Sequence, residues 1–499
     1  MNVHAIHRFR FIFWISVVVL PAAISSSYEK QSLRSAFTGQ KICEEPDHAM
    51  GEIAGEVTQT SVILQSRLTQ GNQKIDGDVP GCSGIARFEI SKNREFTDSI
   101  KTEWIEAVAE NDYIVKRKID NLVPATRYYY RLIYGANKAH AREGNTCTFK
   151  TLAEKDASAP LRLAILTCMN YAFFHYGTDG QGKRAYTGPD KILGYPGLQS
   201  VLDMEPDYSI WTGDNVYYDH PKEGRARTQT ELRKKWHEQF IQPRYIDLFA
   251  ETPTYWMKDD HDFRFNDCDL TGDEEPSVEL GIRTFIEQVP VADPNDKNPA
   301  TYRTFRLNKH VQIWLMEGRD YRSPNAMPDG PEKTLWGKEQ IAWLHNTLLE
   351  SDATFKFLIS PTPLVGPDDA YKKDNHVNHE GFRHEGDAFF TWLTSHDFLN
   401  KKLYLFCGDR HWQYHSIHPS GFEEFSCGTI EDANSRMGRK PGDPKSTDPN
   451  AEVKQLYTQN TPSGGFLMVT VTPTEDGASA HAEFVFYDEN GVLMYRYYA

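Results

Sequence analysis

The chain has 499 residues, of which 39% are hydrophobic and 25% are charged, so it can bury at least one large core and is not a disordered chain. This length is typical of about three domains. Lysine and arginine number 55 against 70 aspartate and glutamate, which gives a formal net charge of −15. Because so acidic a surface repels the phosphates of DNA and RNA, the composition argues against general nucleic-acid binding. If the chain nevertheless acts on a phosphate, the attraction has to come from a local site, most simply from bound metal cations.

The N-terminal segment has the pattern of an export signal. Arg8 and Arg10 precede an apolar run over residues 11–20 and a small-residue stretch over residues 22–26. The run is shorter than the roughly 20 residues that cross a bilayer, so we expect a cleaved signal peptide over residues 1–26 rather than a retained anchor. No later stretch of the sequence predicts a transmembrane helix. We therefore expect an exported protein, periplasmic or secreted, with no integral membrane segment in the mature chain.

All cysteines lie beyond the signal, and their number is odd. In an oxidising compartment six of them allow up to three disulfides, whose connectivity the sequence leaves open. The remaining one is a candidate metal ligand or reactive thiol, and Cys168 is the choice because of its position at a strand end. The alternative is that most of the set are buried thiols. The seven are Cys43, Cys82, Cys147, Cys168, Cys268, Cys407 and Cys427.

The region before residue 152 predicts a small β-sandwich that occupies residues 27–152. Its sequence 122–128 resembles the corner of fibronectin type III domains, in which the hydroxyl of a tyrosine, here Tyr128, hydrogen-bonds back to the backbone. Residues 153–160 are polar and end in proline, as linkers do. The predicted strands are 56–60, 62–68, 85–90, 113–118, 128–134 and 147–150.

From residue 160 to 499 apolar strands alternate with helical patterns, which predicts an α/β domain. A late run of three strands is expected to close it. The predicted strands are 161–167, 208–212, 253–257, 302–307, 310–317, 355–360, 402–407, 465–472, 480–487 and 492–498, and the predicted helices are 197–204, 228–240, 337–350 and 387–394.

Candidate chemistry follows the ends of these strands. Gly213 and Asp214 come directly after strand 208–212, and Tyr217 lies three residues further on. Carboxyl ends of strands are where α/β sheets bind their ligands, and a glycine lets the backbone turn close to a cation. By itself this pair is more typical of an aspartate that caps a turn than of a metal site.

The loop after strand 253–257 is denser in polar groups. Residues 259–267 hold four carboxylates together with His261 and Asn266. Repulsion among like charges in one loop is relieved when hard cations bind, and aspartate and asparagine oxygens are suitable ligands. The alternative is a solvated acidic loop or a structural calcium site.

Two further strand ends complete the set. Asp409 and His411 follow the apolar strand 402–407 and, two residues apart in an extended loop, can reach one centre. Cys168 follows strand 161–167 and places a thiol at the same edge. Together these loops predict a polynuclear metal site for phosphoester hydrolysis, in which cations neutralise the phosphate and activate water. Neither a P-loop nor a G-x-S-x-G nucleophile elbow is present.

The motif set LTCMNYAFF, WTGDNVYYD, WMKDDHDFRFNDCD, MEGRDYRSP, LWGKEQIAWL and FCGDRHWQ resembles the PhoD-like metallophosphatases, also called alkaline phosphatase D or phosphodiesterase D. The likeness covers most of the mature chain, and the motifs follow the family's order. It implies a calcineurin-like αββα catalytic domain behind a fibronectin type III-like β-sandwich. It also implies a site with one ferric ion (Fe3+) and calcium (Ca2+).

The resemblance implies a role for each motif residue. Asp214 is the bridging ligand, and Cys168 and Tyr217 hold the iron. Asn266, Asp409 and His411 complete the metal site, and the ion that each of the last two binds stays open. A metal-bound hydroxide is the expected nucleophile, and His261 orients the phosphate or protonates the leaving oxygen.

Two departures from the wider pattern matter. The general metallophosphoesterase motif begins with D-x-H, whereas this chain has Cys168, which fits the PhoD-like branch alone. The branch often uses a twin-arginine signal, but Phe9 separates Arg8 from Arg10, so the general secretory route is open.

The sequence leaves the substrate open. An exported phosphomonoesterase or phosphodiesterase is the main prediction. The alternatives are a phospholipase-D-like diesterase on lipid headgroups and a non-enzymatic adhesion or glycan-binding protein that holds calcium. The natural phosphoester, the oligomeric state and the role of the sandwich are not determined by the sequence.

Overall fold

A computed structural model describes residues 43–499, and the predicted signal peptide lies outside the described residues. The strands are β1 Glu52–Gly55, β2 Val62–Arg67, β3 Gly84–Ser91, β4 Ile100–Lys101, β5 Ile105–Ala107, β6 Ile114–Ile119, β7 Arg127–Gly135, β8 Arg142–Glu143, β9 Cys147–Lys150, β10 Leu161–Leu166, β11 Tyr208–Thr212, β12 Thr254–Met257, β13 Arg303–Arg306, β14 Val311–Leu315, β15 Phe355–Ser360, β16 Leu403–Cys407, β17 Gln413–Ile417, β18 Glu423–Cys427, β19 Lys454–Thr458, β20 Gly465–Pro473, β21 Ala480–Asp488 and β22 Leu493–Tyr498. The helices are α1 Tyr171–Tyr176, α2 Pro196–Asp203, α3 Gln229–Phe240, α4 Pro243–Glu251, α5 Val278–Gln288, α6 Lys338–Glu350 and α7 Arg383–Ser395.

A nine-stranded sheet carries the first half of the α/β region. Its order is β22-β21-β20-β10-β11-β12-β1-β2-β6. Strands β10, β11 and β12 run parallel, with Ile165 opposite Ile210 and Trp211 opposite Trp256. Nearly all residues of these three strands are buried, as expected for parallel strands covered on both faces. Their carboxyl ends therefore meet at one edge.

A seven-stranded sheet, ordered β13-β14-β15-β16-β18-β17-β19, packs against the first. The shared core holds Ile165 and Ile210 from one sheet and Phe357 and Phe406 from the other. Helices α2 to α5 cover the outer face of the first sheet, and α6 and α7 cover that of the second. These four layers confirm the predicted αββα architecture.

The N-terminal β region shares a sheet with the α/β region. Strand β1 pairs with β12 in parallel at Gly55 and Thr254, so β1, β2 and β6 extend the nine-stranded sheet. Strands β3, β4, β7 and β8 form a separate sheet, with β5 and β9 on its edges. The predicted corner is present: the backbone N–H of Val123 donates to the Tyr128 hydroxyl over 2.9 Å.

Several predicted elements differ from those observed. The strand expected at 56–60 lies at Glu52–Gly55, because Glu56 adopts a φ of 51° and the chain then turns between Thr58 and Ser61. Helices α1, α4 and α5 and strands β17 to β19 were not predicted. Helix α4 begins with a proline at its first position, a helix-start signal that is present in the sequence.

Five cysteines are free and buried, while Cys43 and Cys82 are disulfide-bonded. The alternative that most cysteines are buried thiols therefore describes the chain better than three bridges. Within residues 43–499 no helix has both the length and the apolar character needed to cross a membrane.

Candidate metal centre

The centre lies where the carboxyl ends of β10, β11, β12 and β16 come together. Gly408 makes this approach possible, because a Cβ there would lie 2.5 Å from Oγ1 of Thr212 and 2.8 Å from Oγ1 of Thr167. Gly213 does the same beside Asp259, whose Cβ would lie 2.7 Å from an added Cβ. Each glycine of the two GD motifs thus lets two sheet edges meet without a side chain between them.

Three of the predicted ligands have a left-handed backbone. Cys168 has a φ of 59°, Asp214 of 55° and Asp409 of 57°. Such conformations cost on the order of 1–3 kcal/mol each in a residue other than glycine and persist only where the surroundings enforce them. Their coincidence at three strand ends indicates that function fixes the direction of these side chains.

Asp214 is the common member of the groups of potential ligands. It is fully buried. Three groups of donor atoms, each with all members within 4.8 Å of one another, include it. They are Cys168 with Asp214 and His411, Asp214 with Asp260 and His261, and Asp214 with Asp259 and Asp409.

One side of Asp214 carries sulfur, phenol and imidazole donors. Its Oδ2 lies 3.4 Å from Sγ of Cys168 and accepts from the hydroxyl of Tyr217 over 3.2 Å. The same hydroxyl lies 3.4 Å from Nε2 of His411 and accepts from Nδ2 of Asn434 over 3.0 Å. Burial, followed by the charge of Asp214, raises the pKa of Cys168 and of Tyr217 well above their ordinary values. A cation bound beside them would favour the loss of both protons.

The other side carries carboxylates. Asp259 and Asp260 are fully buried, and Asp409 is almost so. Burial and the neighbouring carboxylates raise the pKa of Asp214 and of Asp259 well above the usual range. Oδ1 of Asp214 and Oδ2 of Asp259 are buried and have no hydrogen-bond partner among the residues described. Oxygen donors that lack partners fit a hard cation such as calcium.

Arginine and lysine side chains neutralise only part of the charge of these carboxylates. Nε of Arg319 donates to Oδ1 of Asp259 over 2.6 Å. Asp409 is ion-paired with Arg410 and lies 3.9 Å from Nζ of Lys372. Although burial alone would raise it, Arg410 and Lys372 hold the pKa of Asp409 well below its ordinary value. Asp214 itself forms no salt bridge with a lysine or arginine within residues 43–499.

His261 lies beside the centre and is held by a carboxylate. Its Nδ1 is 2.7 Å from Oδ1 of Asp219, and its ring stacks on Tyr217 with 4.1 Å between centroids. Burial would lower its pKa, but Asp219 and Asp260 outweigh burial and raise the pKa well above the ordinary value. Asp219 lies in the same GDNVYYD segment as Asp214, so its spacing was visible in the sequence although no role was assigned to it.

Asn266 lies in the loop that follows β12. Its side chain is exposed, and its backbone N–H donates to Oδ2 of Asp219 over 3.0 Å. The same loop brings Asp259 and Asp260 to Asp214. As a metal ligand Asn266 stays a prediction.

Two arginines of the loops around the centre, Arg264 and Arg322, are buried and hydrogen-bonded to the backbone. Arg264 donates to four or more backbone carbonyls, including those of Pro276 and Asp269. Arg322 donates to the carbonyls of Gly318 and Asp374. Both arginines therefore hold loops of the chain together.

The chain is similar in sequence or fold to several known phosphatases. "Alkaline phosphatase D" of Bacillus subtilis (strain 168) is 25% identical over 338 residues, which are 62% of this chain and 54% of that protein. The match thus spans about half the length of that relative. A solved structure described as "Structure of PhoD" aligns with a TM-score of 0.68 and 19% identity, over 91% of this chain and 93% of that one. The purple acid phosphatase PPD1 from yellow lupin (Lupinus luteus) seeds aligns with a TM-score of 0.60 and 12% identity, over 90% of this chain and 73% of that one.

Family models match both parts of the chain. The model of the N-terminal domain of PhoD-like phosphatases matches residues 34–151, and the model of PhoD-like phosphatase matches residues 163–479. The second match covers more than half of the chain and includes every strand end that contributes to the centre. The chain therefore belongs to the PhoD-like phosphatase family.

Proposed function

We propose that the protein is a metal-dependent phosphoester hydrolase whose centre takes a transition-metal ion, Fe3+, together with Ca2+. The observation that supports this most is the position of Asp214, a buried carboxylate shared by three donor groups and bonded to no lysine or arginine among the described residues. A single protein cation would satisfy one of its oxygens. A bridge between two metal ions would use both.

The donor types divide the centre between two ions. Cys168, Tyr217 and His411 offer sulfur, phenolic and imidazole donors, which suit a transition metal. Asp259 and Asp409 offer carboxylate oxygens, which suit a hard cation. This division supports the assignment of His411 to iron and of Asp409 to calcium.

When bound, the cations would neutralise the phosphate, lower the pKa of water and polarise the scissile bond. The protein groups around them would position the substrate. Asp219 holds Nδ1 of His261, which leaves Nε2 for a phosphate oxygen or for the leaving oxygen. We infer that His261, kept protonated by its carboxylate neighbours, is the proton donor to the leaving group.

The compartment and the substrate are part of the proposal. The signal-like N-terminus and the disulfide-bonded Cys43 and Cys82 support export into an oxidising compartment. The acidic composition disfavours nucleic acids as substrates. Small phosphomonoesters and phosphodiesters are therefore the substrates proposed, with phospholipids as the diester variant.

The deciding experiment combines metal analysis with a hydrolysis panel. The purified mature protein is assayed for bound iron and calcium and for turnover of a phosphomonoester, a bis(aryl) phosphodiester and a phosphatidylcholine vesicle. We expect iron and calcium in the protein and hydrolysis of at least one soluble ester. Treatment with a calcium-selective chelator should remove activity, and added Ca2+ should restore it while iron stays bound.

A protein that binds calcium alone and hydrolyses none of the panel would overturn the proposal and support a binding protein. Hydrolysis restricted to vesicles would identify the phospholipid diesterase. Activity that persists after prolonged chelation would contradict the mixed-metal site.

A further inference from the structure

A segment of the second sheet, residues 429–436, borders the sulfur, phenol and imidazole side of the centre. It follows β18, and its first residues are buried and tied to the first sheet. The N–H of Gly465 in β20 donates to the carbonyl of Thr429 over 2.7 Å, and the N–H of Ile430 donates to the carbonyl of Thr167 over 3.2 Å. These hydrogen bonds give the polar groups of the 429–436 segment defined positions beside the centre.

The start of the 429–436 segment holds the backbone around Cys168. The hydroxyl of Thr429 donates to the carbonyl of Cys168 over 2.7 Å, and Oε1 of Glu431 accepts from the N–H of Asn170 over 3.0 Å. Because Cys168 has a φ of 59°, its backbone needs support from its surroundings. The two hydrogen bonds supply that support on both sides of the residue whose Sγ faces Asp214.

The end of the 429–436 segment donates to the phenol of Tyr217. Asn434 is buried, and its Nδ2 donates to the Tyr217 hydroxyl oxygen over 3.0 Å. The same Nδ2 lies 3.4 Å from the carbonyl oxygen of Cys168. Since a carbonyl oxygen can only accept, it fixes the orientation of the amide, so the NH2 group faces the phenol. One amide thus joins the two residues predicted to hold the iron.

A donor at this position matters because a phenol binds iron as an anion. A hydrogen bond to the charged form of a group stabilises that form. Among the described residues two nitrogen atoms lie at hydrogen-bond distance from the Tyr217 hydroxyl, Nδ2 of Asn434 and Nε2 of His411. Nε2 of His411 is a candidate metal donor itself. Asn434 is therefore the donor that remains for the phenol oxygen when the centre is loaded.

We propose that Asn434 is a positioning residue of the metal centre, which holds the Tyr217 oxygen toward the iron and moderates its donor strength through one hydrogen bond. Outer partners of this kind fix the orientation of metal ligands and tune their basicity. The inference rests on the proposed metal-dependent function and deepens it, because it names a residue outside the predicted ligand set that controls a ligand.

The test measures absorption spectra and iron affinity of the full-length mature protein loaded with ferric iron and calcium. Asn434→Leu keeps the branched shape of the side chain and removes the amide. Without the hydrogen bond the electrons of the phenolate are held less tightly, so the visible charge-transfer band should move to longer wavelength. Iron affinity should fall about tenfold, at the lower end of the range for lost partners of metal ligands.

The melting temperature of the metal-free protein shows whether the variant folds. If Asn434→Leu does not fold, Asn434→Ala, which is smaller and also lacks the amide, takes its place with the same expected shift. Asn308→Leu is the matched control, because Asn308 is equally buried and its Nδ2 donates to the carbonyl of Ala159 over 2.9 Å. This control should lower the melting temperature but leave the band and the iron affinity unchanged.

A double-mutant cycle separates positioning from packing. Because Asn434 acts through the phenol oxygen, Asn434→Leu introduced into the Tyr217→Phe protein should change iron affinity by much less than tenfold. Equal effects of Asn434→Leu with and without the Tyr217 hydroxyl would overturn the inference, since they would show that Asn434 acts on the centre independently of that hydroxyl.

The outcomes distinguish the inference from the proposed function. Wild-type protein that binds no iron and shows no visible band contradicts the proposed metal centre itself. Wild-type protein that shows the band, together with a folded Asn434→Leu variant whose band and iron affinity are unchanged, overturns the positioning role of Asn434 alone.

Discussion

Two buried acidic clusters of this protein differ in how their charge is balanced. At the junction between the N-terminal strands and the helices, Asp112 accepts from Arg67 over 2.9 Å and lies 2.7 Å from Nε2 of His237. Nε2 of Gln288 donates to it over 2.8 Å. At the metal centre, Asp214 is buried among other carboxylates and keeps an oxygen without a partner.

The pKa directions record the same difference. Burial would raise the pKa of Asp112, but His237 and Arg67 outweigh it and hold that pKa far below its ordinary value. Burial and like charges raise the pKa of Asp214 well above its ordinary value. The junction is complete as folded, whereas the centre is complete only with cations. A buried carboxylate cluster that the chain itself does not neutralise therefore marks a site, and one that it does neutralise marks structure.

The largest expected effect is that of Asp214→Asn. The amide keeps the shape but removes the charge shared by both donor sets, so turnover should fall at least about 10³-fold, or about 4 kcal/mol of transition-state stabilisation. Steady-state kinetics and metal analysis measure it. When a chelator has removed the metal ions, the Asp214→Asn variant should have a higher melting temperature than the wild type, because the variant lacks one of the repelling charges. Asp476→Asn, on an exposed turn, is the control. Near-normal activity with full metal content would remove Asp214 from the centre.

His237→Ala tests the junction. The substitution leaves Asp78 and Asp112 without the histidine that they share. We therefore expect the free energy of unfolding to fall by about 3 kcal/mol, near the lower end of the range for a broken buried ion pair. Urea unfolding measures this loss, and metal content should not change. The exposed His140→Ala variant is the control and should stay within about 0.5 kcal/mol of the wild type. An unchanged urea midpoint for His237→Ala would show that the junction adds no net stability.

The pH dependence of stability should distinguish the two clusters. Burial raises the pKa of Asp262, next to the centre, to about 6, and it raises those of Asp214 and Asp259. Because a raised carboxyl pKa costs stability above it, chelated protein should become more stable as the pH falls from 7 to 5, by on the order of 1 kcal/mol per group.

The metal-loaded protein should lack this gain. The lowered pKa of Asp112 has the opposite effect on stability, because this carboxylate stabilises the folded protein only while it is ionised. Both the chelated and the metal-loaded protein should therefore lose stability as the pH falls below about 4. Melting temperatures across pH, with and without chelator, measure both effects. Identical profiles for the two forms would show that cations do not balance the centre.

The smallest structural change, Tyr217→Phe, sharpens the donor assignment. Removal of one hydroxyl should leave the fold intact but bleach or shift a visible charge-transfer band and weaken iron retention about tenfold, in the range of lost ligand-sphere contacts. Absorption spectra and iron content measure it. Tyr218→Phe, one residue away and bonded to Trp236, is the control and should keep the band. A spectrum unaffected by Tyr217→Phe would leave that residue as core packing.

Local sequence patterns determined much of this protein. Buried parallel strands appear as short apolar runs, so β11 and β15 were predicted at their observed bounds. Ligand-type side chains follow such strands directly, and therefore Asp214 and Asp409 were identified from the chain alone. Helix α3 was predicted close to its observed bounds, and the structure shows that Thr228 and Glu231 form a capping box at its start.

Only the tertiary structure decided which donors meet. Asp214 is central because β11 lies between β10 and β12, and strand order depends on pairings between distant segments. The same pairings put His411 beside Cys168, placed Asp409 beside Asp259 and left Asn266 at the surface. They also joined β1 to β12, so the N-terminal β region and the α/β region share one sheet. A sequence specifies residue types and local periods, whereas the neighbours of a buried charge are set by long-range packing.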